Sequence, residues 1–152
     1  MDNGTLASED ALVMYFILRK DLNMSVGHIA TQCASGMQTI LLHFLNIKDN
    51  LVCPSSGPYE YKLHSYFKKW IDQSCNKVIL LANDKDFILL KDHYKDNEKL
   101  ILVKDLVVHS LLCDASCAIN TYEVNKEETA AVIWPMFKNE TPEIIKKLHI
   151  LK

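Results

Sequence analysis

The sequence predicts an α/β domain: a three-layer α/β/α arrangement with a four-stranded mixed sheet and helices on its faces. Three observations carry this expectation. Two short apolar runs, MYFIL within Leu12–Leu18 and VILLA at Val78–Ala82, suit strands buried on both faces. Segments with helical spacing alternate with them, which favours parallel strands with helices packed on the sheet. Near the C-terminus AINTYEV and TAAVIW, separated by polar NKEE, read as a hairpin and so as one antiparallel pair.

The elements follow in order. Residues 1–10 read as a disordered tail, and 11–152 as one domain, a size that buries enough surface without disulfide or metal staples. Arg19-Lys20-Asp21 ends the first strand. Ser25 or Gly27 starts a helix to about Asn46, with Ile29, Cys33, Met37, Ile40, Leu41 and Phe44 as its core face. CPSSGP at Cys53–Pro58 is a loop. Tyr59, Leu63, Tyr66, Phe67, Trp70 and Ile71 recur at helical spacing, opposite Lys62, Lys68 and Lys69. After VILLA, KDFILLKDHY reads as a helix. LILVKDLVVHSLL fits a helix through Leu100, Val103, Val107 and Leu111, or a strand at LILV; periodicity does not decide between them. Thr141-Pro142-Glu143 opens a last helix, EIIKKLHIL.

Composition narrows the function. Hydrophobic content of 49% and charged content of 24% are ordinary for a globular protein. The net charge is −2 and Arg19 is the only arginine, so a nucleic acid would have to be met by a local lysine patch. Five cysteines without a CxxC pair, and an acidic, polar MDNGTLASEDAL start unlike a signal peptide, lead us to expect reduced thiols and a cytoplasmic protein. The apolar runs are too short to span a bilayer.

LRKDLNMSVGHIATQC resembles the strand–loop–helix signature of the type-2 peptidyl-tRNA hydrolases of archaea and eukaryotes. Arg19, Asp21, Leu22, Met24, Gly27, Ala30, Gln32 and Cys33 fit that pattern. TAAVIWPMFKNETPEIIKKLHILK is similar to the family's last strand and helix, and looks closest to the divergent peptidyl-tRNA hydrolase domain-containing branch. The resemblance implies hydrolysis of the ester between a peptide and tRNA, with tRNA or peptidyl-tRNA as partner, no cofactor and no membrane; a homodimer is left open. The sequence departs from the family at four places, one of them a linker from Asp84 to Ala118 longer than the family needs. His28 stands where the family has a lysine, and Ser25 replaces the first loop glycine. The family's Asp-Ala-Gly-Arg-Thr-Gln loop is not intact: CDASC keeps only Asp114-Ala115, and an alternative register leaves Asp114 matching nothing.

Ester hydrolysis needs an activated water and a stabilised oxyanion. His28 is the first candidate. An imidazole suits acid–base work but anchors phosphate less firmly than a lysine. The competing reading is a solvated histidine at a helix end. Asp21 can orient His28 or cap loop N–H groups. Asp114 is a third acid–base candidate. Lys20 offers a cation to tRNA. Gln32 and Ser35 lie with His28 and Thr39 on a polar stripe that could line a groove for the CCA end, although every amphipathic helix has a polar side. YEYKLHSYFKKW invites stacking on RNA, but its rings fall at core spacing. His109, Cys113 and Cys117 would share a helix face; without a fourth ligand, buried cysteines are the better reading and no metal is expected. A non-catalytic relative that binds RNA or a protein through the same groove is the rival to an enzyme.

Overall fold

The computed structural model describes residues 11–50, 58–73, 75–96, 99–110 and 122–151. The 1–10 tail, most of the CPSSGP loop, Cys113, Asp114 and Cys117 lie outside them. The strands are β1 (Leu12–Arg19), β2 (Lys77–Ala82), β3 (Leu100–Ser110), β4 (Tyr122–Phe137) and β5 (His149–Ile150). The helices are α1 (Val26–Asn50), α2 (Pro58–Gln73), α3 (Asp84–His93) and α4 (Glu143–Lys146). Among the described residues the sheet therefore has five strands, in the order β3-β4-β1-β2-β5, one more than expected. β1 and β2 run parallel; the other neighbouring pairs are antiparallel.

β1 lies at the centre because both its faces are apolar. Leu12, Met14, Phe16 and Leu18 join a core under α1 and α2, with Phe67, Trp70, Val132 and Trp134. Val13, Tyr15 and Ile17 join the core under α3 and α4, with Phe87, Leu90, Ile133 and Ile145. The two-residue period of a strand thus divides one apolar run between two cores.

One open reading is settled and four expectations are corrected. LILVKDLVVHS is strand β3 and not a helix, because its backbone pairs with β4 along its whole length. The hairpin is consequently not AINTYEV with TAAVIW: Tyr122–Phe137 is one continuous strand whose partner is β3. His109 is extended, so the helical spacing that linked it to Cys113 and Cys117 fails at that residue. The last helix stops at Lys146, and His149-Ile150 then pairs with Leu81 and Leu80 of β2. Thr141 does not cap that helix; its side chain meets Tyr15 Oη at 2.9 Å.

α1 begins where Ser25 Oγ accepts from the His28 N–H, the N-cap geometry. The buried side of α1 is turned slightly from the expected one. Gln32, Gly36 and Ile40 are buried, whereas Leu41 is exposed. Gly36 allows this approach: a Cβ there would stand 2.5 Å from Val132 Cγ2.

Candidate active site

The site lies at the C-terminal end of β1, where the chain turns through Lys20–Leu22 towards α1. Such strand ends commonly hold the ligand in α/β sheets. The turn closes on Asn23, which takes the left-handed conformation at φ 44° that asparagine tolerates. Leu18, Lys20, Asn23, Met24, Ile29, Leu81 and Leu151 help line a cleft of about 220 Å³.

Arg19 fixes the wall of this end. Its guanidinium pairs with Asp21, with Asp84 at 3.3 Å and with Glu127 at 3.3 Å. It therefore joins the loop after β1, the start of α3 and strand β4. The hydrogen bond to Asp21, opposed by partial burial and reinforced by the surrounding carboxylates, holds the Arg19 pKa above its already high value. Asp21 is thus a partner of Arg19.

A second cluster sits between α1 and the β3–β4 pair. Gln32 is 2% exposed. Its Nε2 donates to Asp105 Oδ2 at 2.5 Å, and its Oε1 accepts from Thr129 Oγ1. Strand geometry brings these groups together. Ile101 and Val103 face the α1 side, so Asp105, two residues on, continues that face. Thr129 is the extra residue of a β-bulge: Ala130 pairs with Val103 and Glu128 with Lys104, which leaves Thr129 between them. A bulge re-aims a side chain, and here Thr129 meets Gln32. With both ends of its amide used, Gln32 fixes the direction of the Asp105 carboxylate.

His28 is exposed, one turn above Gln32 on the same side of α1. At that spacing the two Cβ atoms are about 6 Å apart. Lys20 is exposed at the cleft. Ser35 is half-buried one turn below Gln32, and Thr39 donates to the Ser35 carbonyl at 2.8 Å. The polar stripe therefore descends from solvent at His28 into the sheet at Gln32. Burial pushes the Cys33 thiol pKa up, which suits packing and not a nucleophile. Among the described residues no group of three or more His, Cys, Asp or Glu could hold a metal ion.

The structure thus brings together His28, Gln32 and two residues that sequence reasoning passed over, Asp105 and Thr129. Reading LILVKDL as a strand would have found Asp105 on the Ile101–Val103 face. Thr129 had no such signal, because the bulge reverses its side.

The described residues contain no helix long and apolar enough to cross a membrane. No curated relative matches the chain. The family model for peptidyl-tRNA hydrolase PTH2 matches residues 12–151, from the first residue of β1 to just past β5. That span takes in both strands and the helix that meet at Gln32, and the chain belongs to the PTH2 peptidyl-tRNA hydrolase family.

Proposed function

We propose that the protein hydrolyses the ester that joins a peptide to the 3′ end of tRNA, acting in translation in the cytoplasm. The observation that carries this reading is the Asp105–Gln32–Thr129 cluster beneath His28, within the span matched by the family. Asp105, oriented by Gln32, takes a proton from the attacking water. The water oxygen bonds to the ester carbonyl carbon, and an imidazole N–H of His28 donates to the oxyanion. The bond to the tRNA 3′-oxygen then breaks, that oxygen takes the proton held by Asp105, and free tRNA and the peptide acid are released, the acid losing its proton to solvent. Lys20 holds a phosphate beside the cleft. Asp21 acts through Arg19, by holding the loop that carries Lys20.

His28 replaces the lysine that the family resemblance places there. A hydrogen-bond donor to an oxyanion survives the exchange, whereas a permanent cation for phosphate does not. The test is release of peptide from an N-acetylaminoacyl-tRNA. Asp105→Asn preserves shape and removes the base, so turnover should fall about 10²–10⁴-fold, and His28→Ala should lower it as well. A wild-type protein that binds tRNA but shows no turnover between about pH 5 and 9 would instead be a binding member of the family.

A further inference from the structure

We propose that the face of the sheet under α4 holds a second binding site, for a small amphipathic carboxylate: a monoanionic head on a short apolar chain. The candidate active site belongs to the α1 face and the end of β1. This cavity lies across the sheet from α1, among the side chains that pack with Ile145 of α4. It measures about 420 Å³, against about 220 Å³ for the cleft beside Lys20. That volume falls within the roughly 300–1,000 Å³ of small-ligand sites. Val78, Leu80, Ile145, Leu148 and Ile150 form its apolar walls. Tyr15, Lys138, Thr141 and Lys146 supply its polar groups.

Strand register sorts these groups into two ends. The Lys138 N–H donates to the Ala11 carbonyl at 3.3 Å, so Lys138 lies just before β1 begins. The Thr141 N–H donates to the Lys138 carbonyl at 3.3 Å, which puts Thr141 on the same turn. Tyr15 stands opposite Val78, and Leu80 opposite Ile150. From Val78 to Leu80 the strand advances about 7 Å. The cavity therefore has a polar end at Lys138, Thr141 and Tyr15, and an apolar end at Leu80 and Ile150.

The polar end asks for an anion. Tyr15 and Thr141 are 7% and 6% exposed, and their hydroxyls meet at 2.9 Å. Two hydroxyls carry two protons, and the bond between them uses one. The other has no acceptor among the described residues, and a buried donor left without one is costly. Lys138 is exposed and forms no ion pair among the described residues. Lys146 is shared with Glu143 at 2.8 Å, and exposed Lys147 follows it in the chain. No described residue of the lining is acidic. One uncommitted ammonium beside one hydroxyl donor matches a carboxylate. A phosphate dianion calls for more donors, and no arginine fork is present here.

The experiment titrates octanoate, octylammonium and 1-octanol, which share one tail, into the full chain at neutral pH. Backbone amide shifts are the readout. Octanoate should saturate with a Kd below about 1 mM and move the amides of Val78, Leu80, Thr141 and Leu148, not those of Gln32 or Asp105. The other two probes should bind at least about tenfold more weakly, because neither accepts a charge-assisted hydrogen bond. Tyr15→Phe with Thr141→Val removes both hydroxyls while keeping their shapes, a replacement that folded proteins tolerate, and should weaken octanoate about tenfold. Lys138→Glu leaves the core untouched and should weaken it about threefold to tenfold. Equal binding of octanol and octanoate, octanoate binding untouched by Lys138→Glu, or no saturation overturns the proposal. Shifts at these amides that grow with protein concentration before any octanoate is added would seat a second copy of the chain there, and overturn it too.

Discussion

At the scale of single residues, Gln32 decides how the site is held. It is buried, and each end of its amide has a partner. Gln32→Leu keeps the approximate volume but leaves Asp105 and Thr129 facing an apolar group. Losing such partners costs about 1–3 kcal/mol, measurable as a lower urea midpoint. Turnover should fall further than the stability loss explains, since Asp105 also loses its orientation; an unchanged kcat would show that Gln32 is only packing. Cys33 gives a separate check. Burial raises its thiol pKa, so at about pH 8 it should alkylate more slowly than an unperturbed thiol, as followed by mass spectrometry. The sign follows from linkage. Stability from a raised thiol pKa is full below the unfolded value and is lost as pH climbs through the folded one, so Cys33→Ser should flatten the alkaline loss of stability. Equal alkylation rates in the native and the urea-unfolded protein would contradict this.

At the scale of elements, the approach of α1 to β4 depends on a missing side chain. A Cβ on Gly36 would meet Val132 Cγ2 at 2.5 Å, with Phe16 and Val103 each at 3.4 Å behind it. The helix propensity gained by Gly36→Ala, about 1 kcal/mol, works against this clash. Gly36→Val adds bulk that cannot be placed, and it should destabilise by about 1–3 kcal/mol through overpacking. Because the same helix carries Gln32, a displaced α1 should also loosen the Gln32–Asp105 contact and slow turnover. Unchanged stability in Gly36→Val would mean that the helix can slide at little cost.

The same elements show what the sequence made legible. β1, β2, α2 and α3 were readable because each carries its own period, with charges after Leu18 ending β1; the cap of α3, Asn83, whose side chain accepts from the Asp86 N–H, is added by the structure. Ser25 was readable as a cap for the same local reason. β3 was not. Its partner lies across the β3–β4 connection, and pairing with β4 overrode a pattern that also fitted a helix. The site inherits that division. His28 sits on a segment with local signals, whereas Asp105 and Thr129 acquire their places only when β3 and β4 pair. Pro135 shows the same dependence: it is buried in a central strand, where β1 and β4 slip register between Val13 and Tyr15. A bulge lets a strand do without that N–H.

At the scale of the whole molecule, Arg19 ties together the elements that surround the site. Its three carboxylate partners belong to the loop after β1, to α3 and to β4, and without it they would face one another. Arg19→Ala therefore removes three attractions and exposes a mutual repulsion. A fully buried pair broken in this way costs about 3–5 kcal/mol, but these carboxylates are partly solvated, so a loss of about 1–2 kcal/mol is expected. Arg19→Lys should fall between the two, because an ammonium is a point charge and cannot hold three partners with a planar fork. Salt separates this account from a simple packing loss. The variant's repulsion lies between groups near the surface and is screened at about 1 M salt, so its deficit against wild type should shrink as salt rises. Turnover should fall in Arg19→Ala as well, because the loop that Arg19 anchors carries Lys20 and leads into α1. Urea denaturation of both variants at low and high salt provides the measurement. A deficit of a few tenths of a kcal/mol that ignores salt would show that the three elements are held by the apolar cores alone.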